Sequence, residues 1–207
     1  MKSVDTHDST KLHLKQQQHA MILHRGDDEN TVTKYVREAL RKGCLTVYLP
    51  LTGNTNNNNS SDLSKIALSE NMDYGGNMNW GNLLTFDTRT FYNFALAGNL
   101  EPFEELKVLL EEAIEERISS KGNDNDDEVI VVAEVAAELI RNEKFNECIA
   151  VEKWWQTTRS EWLHKGLKVT IICPHFSPIL DKSEFMHYKH ALSSLHEIVV
   201  ESESKRG

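Results

Sequence analysis

Six short apolar runs recur along the chain, and stretches with helical spacing separate them. Ala20–Leu23, Cys44–Leu51, Leu83–Phe86, Val129–Ala133, Leu167–Cys173 and His196–Glu201 are the runs. Short, continuous and rich in β-branched residues, they predict strands buried on both faces. Between them, apolar residues repeat every three or four positions. Glu29–Lys42 places Val32, Val36, Ala39 and Leu40 on one face, with Asp28 as N-cap and Gly43 as C-cap. Ser61 or Asp62 caps a second helix beginning at Leu63. After Pro102, Phe103, Leu106, Leu109/Leu110, Ala113 and Ile114 line one face and glutamates the other. Val135, Leu139 and Ile140 mark a helix after Glu134. Cys148–Leu163 carries Ile149, Trp154 or Trp155, Trp162 and Leu163 inward, and Asp181 caps a last helix reaching Leu195. The fifth run is expected to end at Pro174, which cannot donate to a ladder. Strands alternating with helices predict an α/β fold in three layers, a mostly parallel sheet with helices on both faces.

The segments outside this pattern are polar. Residues 1–18 contain three consecutive Gln and predict a loose tail, and residues 202–207 a second one. Residues 52–62, TGNTNNNNSSD, predict a flexible Asn-rich loop, with a Gly/Asn-rich loop at 72–82 and a solvated turn at 120–127. The expectation is one domain over residues 19–201. At 207 residues and 39% hydrophobic content, the chain can bury a substantial core.

Charge and cysteines narrow the class. The net charge is −9, and no Lys/Arg cluster offers a polyanion a basic face, so direct nucleic-acid binding is not expected. Three cysteines, Cys44, Cys148 and Cys173, form no CxxC pair, which points to reduced, buried thiols. No apolar leader or membrane-length run occurs, so the expected location is the cytoplasm, away from the membrane.

Candidate chemistry sits at strand ends, because open parallel sheets bind ligands at their carboxyl rim. His24 and Arg25, Asp87 and Arg89, Glu134, and His175 are the residues this rule collects. Glu134 ends the central run and suits a general base or metal ligand; the plainer alternative is a carboxylate that caps the next helix or pairs with an arginine. Glu152 carries the same ambiguity, with Arg159 or Lys153 as its ordinary partner. The turn from His24 to Glu29 lacks the glycines, lysine and hydroxyl of a phosphate-binding loop, and its three carboxylates oppose a triphosphate. Cys173-x-His175 with His187-x-x-His190 could bind zinc, but the spacing matches no zinc motif, and no metal or cofactor is assigned. Trp154, Trp155 and Trp162 read as core, and the Glu104–Glu116 face as solvated surface.

Several stretches together carry a family resemblance. HAMILHRGDDE (19–29), ALRKGCLTVYL (39–49), GNLLTFDTRTFY (81–92, ending in Tyr92), VVAEVAAEL (131–139), the Glu152 of AVEKWW, CPH (173–175) and SSLHEIVV (193–200) follow one another in a recognisable order. In this the chain resembles the MEDS domain, the methanogen and methylotroph sensory domain of the dichloromethane-responsive regulator. That domain is a degenerate relative of the RecA/KaiC ATPase fold. The chain departs from the family pattern at His24, His175 and Glu197, and the Asn-rich loop looks like an insertion. The resemblance implies a RecA/KaiC-like fold without its phosphate loop. It also implies a non-enzymatic, cytoplasmic sensory or regulatory module. Such a module would bind a small molecule or a signalling protein in trans. The strand-end rule, not the resemblance, supplies its candidate rim of His24, Arg25, Asp87, Arg89, Glu134 and His175, with Glu152 and Tyr92 as a second tier. Self-assembly into a homo-oligomer and residual nucleotide turnover are the alternatives.

Overall fold

The computed structural model describes residues 17–25, 29–51, 82–120 and 128–201, with the backbone alone for 29–34. The expected Asn-rich loop, the helix from Leu63, the Gly26–Asp28 turn with its cap, the turn at 121–127 and most of both tails lie outside the described residues.

Six strands form one parallel sheet in the order β3-β2-β4-β5-β1-β6. They are β1 (His19–His24), β2 (Leu45–Leu49), β3 (Leu83–Thr85), β4 (Val129–Ala133), β5 (Val169–Phe176) and β6 (Ile198–Glu201). The four inner strands, β2, β4, β5 and β1, are nearly continuous in apolar residues because helices cover both faces. Alternation then sorts each run. Met21, Leu23, Val47, Val131 and Ile171 face the larger core, whereas Ile22, Tyr48, Val132 and Ile172 face α1 (Glu29–Arg41) through Val36 and Leu40. Gly43 closes α1 with φ +81, where a side chain would be strained, as its position after the last apolar residue predicts.

The larger core is covered by α2 (Arg89–Leu96), α3 (Glu101–Ser120), α4 (Val135–Arg141) and α5 (Phe145–His164). Trp155 and Trp162 are buried in it, and their rings meet edge to face at 6.3 Å. The expected solvated face of α3 is only partly so. Glu104 accepts the Trp154 indole N–H at 2.8 Å, and Glu111 that of Trp162 at 2.7 Å. An indole at a core boundary needs an acceptor, and α3 supplies it.

Several elements differ from the sequence expectation. β5 runs through Pro174 to Phe176. Its pairing with β4 ends at Ile172, so beyond that point only the β1 side of the strand needs donors and proline is tolerated. The final helix is broken. Asp181 ends a short α6 (Ser177–Leu180), a 3-10 turn follows at Ser183–Phe185, and α7 spans Met186–Ser193. Helix α2 has no sequence counterpart: it is eight residues long, rich in aromatics and buries one residue, Ala95, so helical periodicity cannot show. Helix α5 begins at Phe145, three residues before the expected Cys148.

Candidate functional site

Helix α5 has one carboxylate on its inner face. Cys148, Val151, Glu152, Trp155, Arg159 and Trp162 recur at helical spacing and are buried. Glu152, on the second turn, has no exposed surface. Opposite it, strand alternation delivers polar side chains. His19 begins β1 on the parity of Met21 and Leu23, and Cys173 and His175 share the parity of Ile171 on β5. His196 comes from the turn between α7 and β6. A buried centre of one glutamate, three histidines and two thiols results.

Its geometry is tight. Glu152 Oε1 lies 3.0 Å from His175 Nε2, and Oε2 lies 3.2 Å from His19 Nε2 and 3.1 Å from His196 Nε2. The His19 Nε2 is also 3.4 Å from Cys173 Sγ. The His19 and His196 rings lie 4.1 Å apart between centroids, tilted by 34°. Yet neither carboxylate oxygen has a hydrogen bond of acceptable direction, nor do either His175 nitrogen or the His196 Nε2. The opposite edges of two rings are satisfied: His196 Nδ1 donates to the Leu192 carbonyl at 2.8 Å, and His19 Nδ1 to the Leu195 carbonyl at 3.0 Å. A carbonyl only accepts, so both Nδ1 atoms carry hydrogen.

Desolvation and charge pull against one another here. Burial pushes the Glu152 carboxyl up, but the charge of His196 and the three facing imidazoles hold it well below the usual carboxylate range. Burial pulls His175 down despite Glu152. Burial also opposes a charged His196, but the Glu152 carboxylate outweighs it and raises that ring. Burial, then the nearby carboxylate, holds the Cys148 and Cys173 thiols well above their ordinary values.

The expected rim falls into separate local arrangements. Arg25 is exposed and pairs with Asp181 at 3.1 Å. Asp87 is exposed and accepts the Arg89 backbone N–H at 3.0 Å, opening α2. Half-buried Glu134 accepts the Tyr48 hydroxyl at 2.7 Å and makes no side-chain cap to α4. Burial raises its pKa, partly offset by Tyr48 and a backbone N–H at Leu51. Tyr92 accepts from Asn142 at 3.0 Å, with its pKa raised by burial and by Glu138. His24 ends β1 on the parity of Ile22, opposite that of His175, and lies 5.8 Å from the Phe176 ring. His175 leaves the rim set altogether, sealed beneath α5 beside Glu152. Neither Arg159 nor Lys153 partners Glu152; Arg159 pairs with Glu197 at 2.6 Å instead.

Sequence reasoning selected Glu152 and His175 and weighed Cys173 beside His175, with His187 and His190, as zinc ligands, but it did not bring His19, Cys148 or His196 to them. One signal pointed there. A carboxylate midway along an apolar helix face must find partners when buried, and Cys173 and His175, two positions apart, fall on one face once the fifth strand runs past Pro174.

No family model matches the chain, and no curated protein or solved structure does either. No helix among the described residues is long and apolar enough to cross a membrane.

Proposed function

We propose that the protein is a non-enzymatic sensory or regulatory module. The charge state of its buried centre is passed to the surface formed by α7 and β6, where a small molecule or signalling protein reads it. The observation that carries this reading is enclosure: Glu152 and His175 have no exposed surface, and His19 has 1%. A general acid or base must come within hydrogen-bond reach of a substrate atom, and these groups reach none. The sensory role that the MEDS resemblance implies agrees with this.

A physical route leads outward. The turn between α7 and β6 is tied to the centre through His196 to Leu192 and His19 to Leu195. Glu197 in the same turn donates its N–H to the His19 carbonyl at 2.9 Å and its carboxylate accepts the His19 N–H. Arg159 of α5 grips that carboxylate. Among the described residues strand β6 pairs with β1 alone, so its outer edge is where a partner strand or peptide would add. A change of charge around Glu152 alters the hydrogen bonds that hold this turn, and a two-position turn is the element that such a signal needs.

Hydrogen–deuterium exchange across pH 5–8 tests the reading. Amides of residues 192–201 should change protection together, and Glu152→Gln should abolish that change. Uniform exchange over this range, or nucleotide or ester turnover that disappears in Glu152→Gln, would count against it.

A further inference from the structure

Four donor atoms of the centre converge: His19 Nε2, His196 Nε2, Cys173 Sγ and a Glu152 oxygen all lie within 4.8 Å of one another. Three of the separations are known closely, at 3.2, 3.1 and 3.4 Å. Donors held about 2.0–2.3 Å from one ion in a tetrahedron sit about 3.3–3.5 Å apart, so these three separations match four-coordinate zinc to a few tenths of an ångström, and the other three lie within 4.8 Å.

The protons make the same case independently. Because His19 and His196 each give their Nδ1 hydrogen to a backbone carbonyl, a neutral ring presents a bare lone pair at Nε2. With both rings neutral, two such lone pairs face one carboxylate oxygen at 3.1–3.2 Å, a repulsive arrangement that a cation relieves, whether a proton on His196 or a metal ion. The N–H directions do not supply it, since the carboxylate oxygens and the His196 Nε2 lack directed hydrogen bonds. Protonating His196 alone pairs one imidazolium with the carboxylate, but its N–H makes no directed bond to Glu152, and the His19 lone pair then has the Cys173 thiol at 3.4 Å as its donor. A metal ion satisfies all four groups at once, and the Nδ1–H to carbonyl bonds are the outer support that orients metal-ligating imidazoles.

We propose that His19, Glu152, Cys173 and His196 form a closed, four-coordinate site for a divalent transition metal of the zinc class. Imidazole and thiolate donors disfavour calcium and magnesium, which prefer all-oxygen shells. Four protein ligands with no exposed position for water make the site structural or regulatory rather than hydrolytic. The Cys173 thiol gives up its proton as its sulfur binds the ion, a protonated His196 gives up its Nε2 proton as that nitrogen binds, and the protons leave to solvent. His175 and Cys148 flank the other Glu152 oxygen and lie outside the four. The chain places the ligands at 19, 152, 173 and 196, so the site forms with the tertiary fold and the metal loads as the α7–β6 turn closes.

The inference rests on the geometry of the centre and not on the regulatory reading. A bound ion that never exchanges and leaves residues 192–201 unmoved overturns the reading and leaves the site standing. The test begins with elemental analysis of the full-length, tag-free chain, expected to carry about one zinc per chain. The metal-free chain is then titrated with Co2+. Wild type should develop the visible bands of tetrahedral cobalt and a near-ultraviolet thiolate-to-cobalt band. Cys173→Ser should lose the thiolate band and bind about tenfold or more weakly, a loss at least as large as that for an outer-shell partner. His175→Gln should keep both features. Folding of each protein is checked by circular dichroism. The proposal is overturned if folded wild type carries no more metal than its buffer and binds Co2+ only in octahedral form. It is equally overturned if the thiolate band survives in Cys173→Ser.

Discussion

The strand-end rim and the centre beneath α5 contain the same kinds of residue, and their surroundings make them different objects. At the rim, Arg25 meets Asp181 in an exposed pair, and Asp87 serves its own backbone. In water such contacts add little, because solvent screens the charge and long side chains lose freedom to form them. Beneath α5, Glu152 meets three imidazoles without solvent. There each charge is costly alone and strongly coupled to its neighbours. Glu134 lies between these limits, half-buried with one hydroxyl donor. Function is therefore to be sought where the cost is high and the groups still converge.

The sharpest way to break this contrast is to delete the central carboxylate. Glu152→Ala, in metal-free buffer, should destabilise the fold by about 3–5 kcal/mol in urea titration, as removal of one partner from a buried charged set does. A loss below about 1 kcal/mol would make the centre equivalent to the rim.

Two histidine substitutions sharpen the contrast by sign. The folded pKa of His196 is raised from 6.5, burial being outweighed by Glu152. Its contribution is present below 6.5 and is lost as pH rises through the folded value. The folded pKa of His175 is lowered from 6.5 by burial, so the unfolded chain binds that proton first and stability falls as pH drops below 6.5. In the metal-free protein, His196→Gln should flatten the stability profile on the alkaline side of this window and His175→Gln on the acid side. Chemical denaturation at several pH values reads both, and identical profiles would remove the assigned asymmetry.

Smaller effects belong to the rim. Tyr48→Phe removes the hydroxyl from Glu134 and should cost about 1–2 kcal/mol in the same assay, the typical loss when a partly buried charged acceptor loses its donor. Arg25→Ala should change stability by less than about 0.5 kcal/mol, and added salt should shrink even that.

Some of the molecule is legible in the chain because its cause is local. Gly43 after the last apolar position of α1, the β-branched Val129–Val132 and the tryptophans at helical spacing each produce the element they predict. Elements held by distant partners are not legible this way. Pro174 lies inside β5 because β4 has already ended beside it. Helix α2 exists because Thr88 fastens its start, donating to the Pro50 carbonyl at 2.8 Å. Glu104 and Glu111 look like solvated charge on α3 until α5 brings two indoles against them.

The candidate site divides along the same line. Glu152 and His175 stand out in the chain as polar groups in apolar settings, whereas His19 and His196 are 177 positions apart and look ordinary. By itself the sequence determined the layered α/β class and the buried character of its strands. These follow from side-chain period and hydrophobicity, which act over a few residues. Only the tertiary structure decided that β1 and β5 lie side by side, that Glu152 faces them, and that the α7–β6 turn delivers His196. Strand order and helix docking arise from packing across the whole domain, and no local pattern encodes which distant polar groups that packing brings together.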